Sequence, residues 1–268
     1  MNGAIGFGPA LVIVLALLTL AGAGVVRFGG LGQGRAVLLA AVRAVAQLAL
    51  VSLVITLILR SGWLTGLFVL LMFSIAAVTS ASRIGVPRRI GWVALALASG
   101  VAPVLALVLA SGVVPPEPIT VVPIAGIVIG GTMTATSQSA RRALDELAQR
   151  HGEYEAALAL GFLPRLAALE ICRPSAGQAL IPALDQTRTV GLVTLPGAYV
   201  GLLLGGAGPI QAGIAQALVL IALLAAEAVA VLTTVQLVAA GFIRRDEPVR
   251  RRWTFAWVPR RQPSGAAR

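Results

Sequence analysis

The chain has 268 residues, 58% of them apolar and 12% charged, with a mean hydropathy of +0.93. Soluble domains are less apolar and about twice as charged, so the composition excludes an ordinary soluble protein and points to one embedded in a bilayer. All 21 basic residues are arginine. The missing lysine excludes a Walker A nucleotide loop and Schiff-base chemistry, and one histidine (His151) with one cysteine (Cys172) excludes the usual kind of zinc site and an internal disulfide.

A hydrocarbon core of about 30 Å takes roughly 20 apolar helical residues. Seven stretches qualify, at about 6–26, 37–59, 62–80, 90–113, 119–139, 179–204 and 212–241. The first is free of charge from Met1 to Val26, without the basic start of a secretory signal, and reads as a retained span. The expected fold is all-α: a polytopic helical membrane protein of about seven spans.

The arginines orient it. With the N-terminus outside, the inner segments hold Arg27, Arg35, Arg83, Arg88, Arg89, Arg141, Arg142, Arg150, Arg165 and Arg173, and the tail adds Arg244, Arg245, Arg250, Arg251, Arg252, Arg260, Arg261 and Arg268. Only Arg60 falls outside, and Arg43 and Arg188 lie within spans. Positive charge stays on the cytoplasmic side during insertion, so the expected topology is N-terminus out and C-terminus in. The same asymmetry explains the net charge of +11 without a nucleic acid partner. The outer loops Gly112–Pro118 and Gly205–Pro209 are short, which leaves 140–178 and the tail as the sizeable non-membrane surfaces. The organisation is a transmembrane domain over 1–242, containing a cytosolic loop at about 140–178, and a basic tail over 243–268.

Inside the loop, Arg141–His151 reads as an amphipathic helix continuing span five, and Glu153–Leu160 prolongs it. Gly161 suits the left-handed position that ends a helix. Pro164 suits the first turn of a short helix over Arg165–Ile171, and Pro174 stops it. Leu158, Leu160, Leu163, Leu166 and Ile171 are expected to pack on the bundle, with Glu155, Arg165 and Glu170 facing a partner. An ordinary amphipathic connector accounts for the same pattern.

Charges within spans are costly and face a cavity or a partner. Arg43 in span two, Asp185 and Arg188 in span six, and Glu227 in span seven form a balanced set, with Gln47 and Thr187 beside them. They read either as structural ion pairs, Arg43–Asp185 or Arg188–Glu227, or as a substrate or gating site in which Glu227 lies deepest. Gly197, Gly201 and Gly205 recur every fourth residue on span six, as do Gly126 and Gly130 on span five, a spacing that lets helices approach closely. Pro196 removes a donor mid-span and kinks or breaks that helix, marking a hinge. The hydroxyl-rich run Gly131–Ser139 predicts that the inner end of span five lines water or protein. Met72 and Met133 read as packing residues, and iron does not follow from the spans, which lack His and Cys. The tail, with Trp253, Phe255 and Trp257 among its arginines, reads as a topology anchor.

Glu155-Ala156-Ala157, then Gly161, Ile171 and Pro174, resembles the EAA loop of ABC transporter permeases, although Arg173 stands where that pattern usually has leucine. With Leu180-Ile-Pro182, the run Thr189–Gly197 and Arg43-Ala-Val-Ala-Gln47, the chain is similar over about 8–240 to the FetB-like permeases, a family tied to iron export and to aluminium tolerance in plants. The resemblance implies a non-enzymatic membrane subunit in the bacterial inner membrane, paired with a second copy of itself. A separate cytosolic ATPase, carrying ATP and Mg, would dock on 140–178. The substrate would be iron or another metal, with an organic solute such as a nucleotide-sugar as the alternative. An ion-coupled secondary transporter using Glu227 and Asp185, or a membrane anchor that recruits a signalling protein, would share much of this sequence.

Overall fold

The computed structural model describes residues 8–58 and 61–245. Arg60 and the tail from Asp246 onward, including Trp253, Phe255 and Trp257, lie outside the described residues. Among the described residues ten α-helices follow one another: α1 (Pro9–Phe28), α2 (Gly34–Ile58), α3 (Gly62–Ile84), α4 (Ile90–Ala110), α5 (Pro118–Gln149), α6 (His151–Ala159), α7 (Pro164–Gly177), α8 (Ile181–Thr189), α9 (Gly197–Leu204) and α10 (Pro209–Ala239). The protein is a polytopic all-α membrane protein. Several helices begin on proline, where the fixed φ is pre-set for a helix and the missing N–H costs nothing.

Among the described residues six helices are long and apolar enough to cross a bilayer: α1, α2, α3, α4, α5 and α10. The expected continuous span at 179–204 is corrected: it is two short helices, α8 and α9, separated by residues 190–196. The Thr189 carbonyl accepts from the N–H groups of Leu192, Val193 and Thr194, and Gly191 takes φ +81°. The cause is local. Thr187, Thr189, Val190 and Thr194 are poor helix formers, Gly191 admits the left-handed turn, and Leu195 precedes a proline that cannot continue a helical ladder. The chain still passes from one end of the bundle to the other here. The C-terminal ends of α5 and α10 lie at the same end, joined by Arg245 Nη1 donating to Asp145 Oδ1 at 2.6 Å, so the two helices run parallel and α8–α9 carries the return.

Contacts divide the chain into two units. The first runs through Phe68 and includes Glu117–Ile119; within it α1 and α2 pack as an antiparallel pair. The second holds Val69–Pro116 and the chain from Thr120 onward. Its largest apolar cluster joins the ends of α3, α4, α5, α7 and α10 through Ile84, Val93, Leu97, Ala140, Cys172, Val235 and Ile243. Trp92 stacks on Phe242 with ring centroids 4.3 Å apart, and Arg245 Nε donates to the Ile84 carbonyl at 3.3 Å. These contacts seal the end where Arg83, Arg141, Arg142, Arg165 and Arg245 gather.

The closest helix approach is between α4 and α10. A Cβ at Gly100 would overlap the Ala226 carbonyl oxygen and lie 3.0 Å from the Ala230 Cβ. Ser99 Oγ donates to Thr233 Oγ1 across the same seam at 3.0 Å. Of the glycine rows, only Gly126 meets a neighbouring helix within the single chain among the described residues. A Cβ at Gly130, Gly197 or Gly201 would meet nothing within 4 Å, one at Gly205 only carbonyls of its own helix, and one at Gly126 only the end of Met72.

Candidate functional site

The segment after α5 is built by three local events. The ladder of α5 runs on past Arg141 and Arg142 to Gln149, and the chain then bends at Arg150, whose φ of −103° and ψ of 32° leave the helical region. Arg150 holds the bend from both sides: its Nε donates to Glu153 Oε1 at 2.8 Å and its Nη1 to Glu146 Oε1 at 3.4 Å. The guanidinium beside it holds the Glu153 carboxyl below the usual carboxylate range. Helix α6 ends in a Schellman turn, with Gly161 at φ +90°, Gly161 N–H donating to the Leu158 carbonyl at 2.9 Å and Phe162 N–H to Ala157 at 3.1 Å. Pro164 then opens α7.

Helix α7 runs through Pro174 to Gly177, so that proline does not stop it as expected. The carbonyl that Pro174 leaves without a donor belongs to Glu170, on the exposed face, where water can satisfy it. The opposite face, Ala167, Ala168, Ile171, Cys172 and Ala176, is buried and holds the helix in place. Burial pushes the Cys172 thiol up, marking an inert packing residue.

A second correction concerns the leucines. Ile171 is buried and Leu158 partly so, but Leu160, Leu163 and Leu166 are exposed, and so is Phe162, which the sequence reading passed over. The positive-φ turn projects Leu160–Leu163 off the end of the helix pair, away from the bundle. The signal was an apolar run, Leu-Gly-Phe-Leu-Pro, at a turn where polar residues are usual. Glu155 and Ala156 are exposed and Ala157 half-buried. Glu155 Oε1 lies 3.2 Å from His151 Nε2 one turn earlier. Arg165 donates to Gln236 Oε1 on α10 at 2.6 Å, and Arg142 to Gln178 at 3.0 Å. The helix pair is therefore tied to both long helices.

Of the intramembrane charges, Arg43 and Gln47 lie one turn apart on α2, in the first unit. Asp185 and Arg188 pair with each other, Nη1 to Oδ1 at 4.0 Å, on the exposed side of α8. The expected Arg188–Glu227 pair does not form. Glu227 is 6% exposed, and among the described residues it has neither a hydrogen-bond partner nor a counter-charge. Thr132, Thr136 and Ser139 lie along one face of α5 and are buried with unpartnered hydroxyls, so this part of the helix, before Arg141, faces protein. Pro196 caps α9, with Gly197 its first residue.

The profile of UPF0014, described as an uncharacterised protein family, matches residues 9–243. The chain belongs to this family. Among UPF0014 relatives, the UPF0014 membrane protein STAR2 of Oryza sativa subsp. japonica is 35% identical over 186 residues, 68% of this chain and 65% of that protein. ALUMINUM SENSITIVE 3 of Arabidopsis thaliana is 33% identical over 207 residues, 76% of each chain. The probable iron export permease protein FetB of Escherichia coli strain K12 is 36% identical, but over 95 residues, 35% of this chain and 37% of FetB. No solved structure matches.

Proposed function

We propose that this UPF0014 protein is the membrane-spanning permease subunit of an ABC transporter, driven by a separate ATPase that docks on the α6–α7 helix pair. The observation that carries the reading is the apolar tip Leu160, Phe162, Leu163 and Leu166, exposed at the end of a helix pair and rimmed by Glu155 and Arg165. An apolar centre with a charged rim has the composition of a protein interface. The ties Arg165–Gln236 and Arg142–Gln178 give it a stiff connection to α10 and α5. A push on the tip would thus reach the helices that hold Glu227 and the α5 hydroxyls.

The gathering of arginines at the α5 and α10 ends supports a cytosolic tip, with the N-terminus outside and the C-terminus inside. Each chain has one docking pair, so two copies would serve two ATPase subunits, which would supply ATP and Mg. The membrane would be the bacterial inner membrane. Iron or another metal as cargo is supported by the likeness to FetB over 95 residues; among the described residues no group of three or more His, Cys, Asp or Glu comes together.

The test is co-purification with the ATPase encoded beside the gene, followed by ATPase stimulation of the reconstituted pair by a panel of metals and organic anions. Glu155→Arg or Gly161→Leu should abolish co-purification while the chain still inserts. The buried, unpaired Glu227 favours one second reading, an ion-coupled secondary transporter using Glu227 and Asp185. Solute movement on a proton gradient in vesicles without ATPase would establish it in place of the first.

A further inference from the structure

We infer that Glu227 is a proton-binding site inside the single chain, reached from the arginine-rich end along the buried hydroxyls of α5. Four observations lead there. A Cβ at Gly131 would lie 2.6 Å from Glu227 Oε1, so the carboxyl is seated against the bare backbone of α5 at that level. Gly131 precedes Arg141 by ten residues, about 15 Å along the helix, which puts the carboxyl well within the hydrocarbon depth. Among the described residues of the second unit no charged group faces it: α3 carries only Arg83, in its last turn, α4 has none, α5 has none before Arg141, and Glu227 is the sole charge on α10. On α8 and α9, Asp185 and Arg188 pair with each other, and Tyr199 is the remaining titratable group.

A carboxylate in such surroundings is stable only with a positive companion. A metal ion needs several ligands, which the described residues do not bring together. A proton needs no coordination shell.

The path is the fourth observation. Thr132 follows Gly131 directly, and Thr136 and Ser139 continue on the same face toward Arg141 and Arg142. All three are at least nine-tenths buried, and their oxygens have no protein partner. Buried hydroxyls of this kind are completed by ordered water. Water completing these hydroxyls would link the level of Glu227 to the basic end. Toward the other end, Gln216 is the single buried polar side chain on that face of α10, its Oε1 also unpartnered. Access from the basic end is therefore the better lined.

The inference concerns the permease alone, so its failure would leave the ATPase reading untouched. The test uses the full chain in lipid nanodiscs without any partner. Infrared spectra should contain a protonated carboxyl band that disappears in Glu227→Gln. Dicyclohexylcarbodiimide, which attacks protonated carboxyls in apolar sites, should label Glu227 and be opposed by raising the pH. A Thr132→Val, Thr136→Val, Ser139→Ala variant should keep the infrared band, which reports an intact site. Its deuterium exchange at the carboxyl should slow by about tenfold, the equivalent of one lost hydrogen bond on the path. A spectrum unchanged in Glu227→Gln, or protection from labelling by Na⁺ or a divalent ion at constant pH, would overturn the proton site. Unaltered exchange in the triple variant would overturn the path.

Discussion

Glu227 rests its carboxyl against Gly131, where a side chain of any size would meet Glu227 Oε1 and the end of Leu223. Both are the free ends of flexible side chains. Gly131→Ala should therefore fold normally yet turn Glu227 aside. It is expected to change the carboxyl band of the infrared spectrum with little loss of thermal stability.

Gly100 is the contrasting case. The atom its Cβ would meet is the Ala226 carbonyl, held in the α10 ladder and unable to give way. Gly100→Ala should force α4 and α10 apart at a cost of about 1–3 kcal/mol, the usual range for overpacking. A detergent thermal-shift assay would register it as a lowered midpoint, and a midpoint equal to the parent's would contradict this packing.

Gly161 has open space around it, so any cost of substitution comes from its φ of +90° alone. Gly161→Ala should weaken the α6–α7 turn by about 1–2 kcal/mol, and Gly161→Asn by less, because asparagine tolerates the left-handed region. The order Gly, Asn, Ala in retained ATPase co-purification is the expected result.

Phe162 and Leu163 are exposed in the single chain. Phe162→Asp with Leu163→Asp should leave the melting temperature unchanged and remove ATPase binding. A loss of folded protein in that variant would mean that the tip packs within the subunit.

The bend at Arg150 depends on ionised Glu153. Its folded carboxyl lies below the ordinary range because Arg150 hydrogen-bonds it. The support is present above the ordinary carboxylate range and is lost as pH falls through the lowered folded value. Protection from hydrogen exchange at the Glu153 and Tyr154 amides, which donate to the Arg150 carbonyl, should fall relative to the intrinsic rate on acidification through that window. Arg150→Gln should show the low protection at every pH.

The Gly161 turn and the Pro164 start were legible in the sequence because each depends on one residue's own backbone preference. Six of the seven apolar stretches appear as long helices for a similar reason, since crossing lipid is set by length and hydropathy. The seventh is not continuous because Val190, Leu192, Val193 and Leu195 carry the hydropathy of the window, while the valines, the threonines and Gly191 disfavour a helix. The leucines of the turn were assigned to the bundle because hydrophobicity says that a side chain wants burial, not which protein provides it.

Membrane residence, helical class and the shape of the Gly161 turn were written in the sequence by itself, through properties that act over one residue or one helix. The tertiary structure alone decided that Glu227 is left without a counter-charge beside Gly131, and that Gly100 marks a tight contact between α4 and α10. Those outcomes depend on the rotation and spacing of helices far apart in the chain, which no residue's own preference encodes.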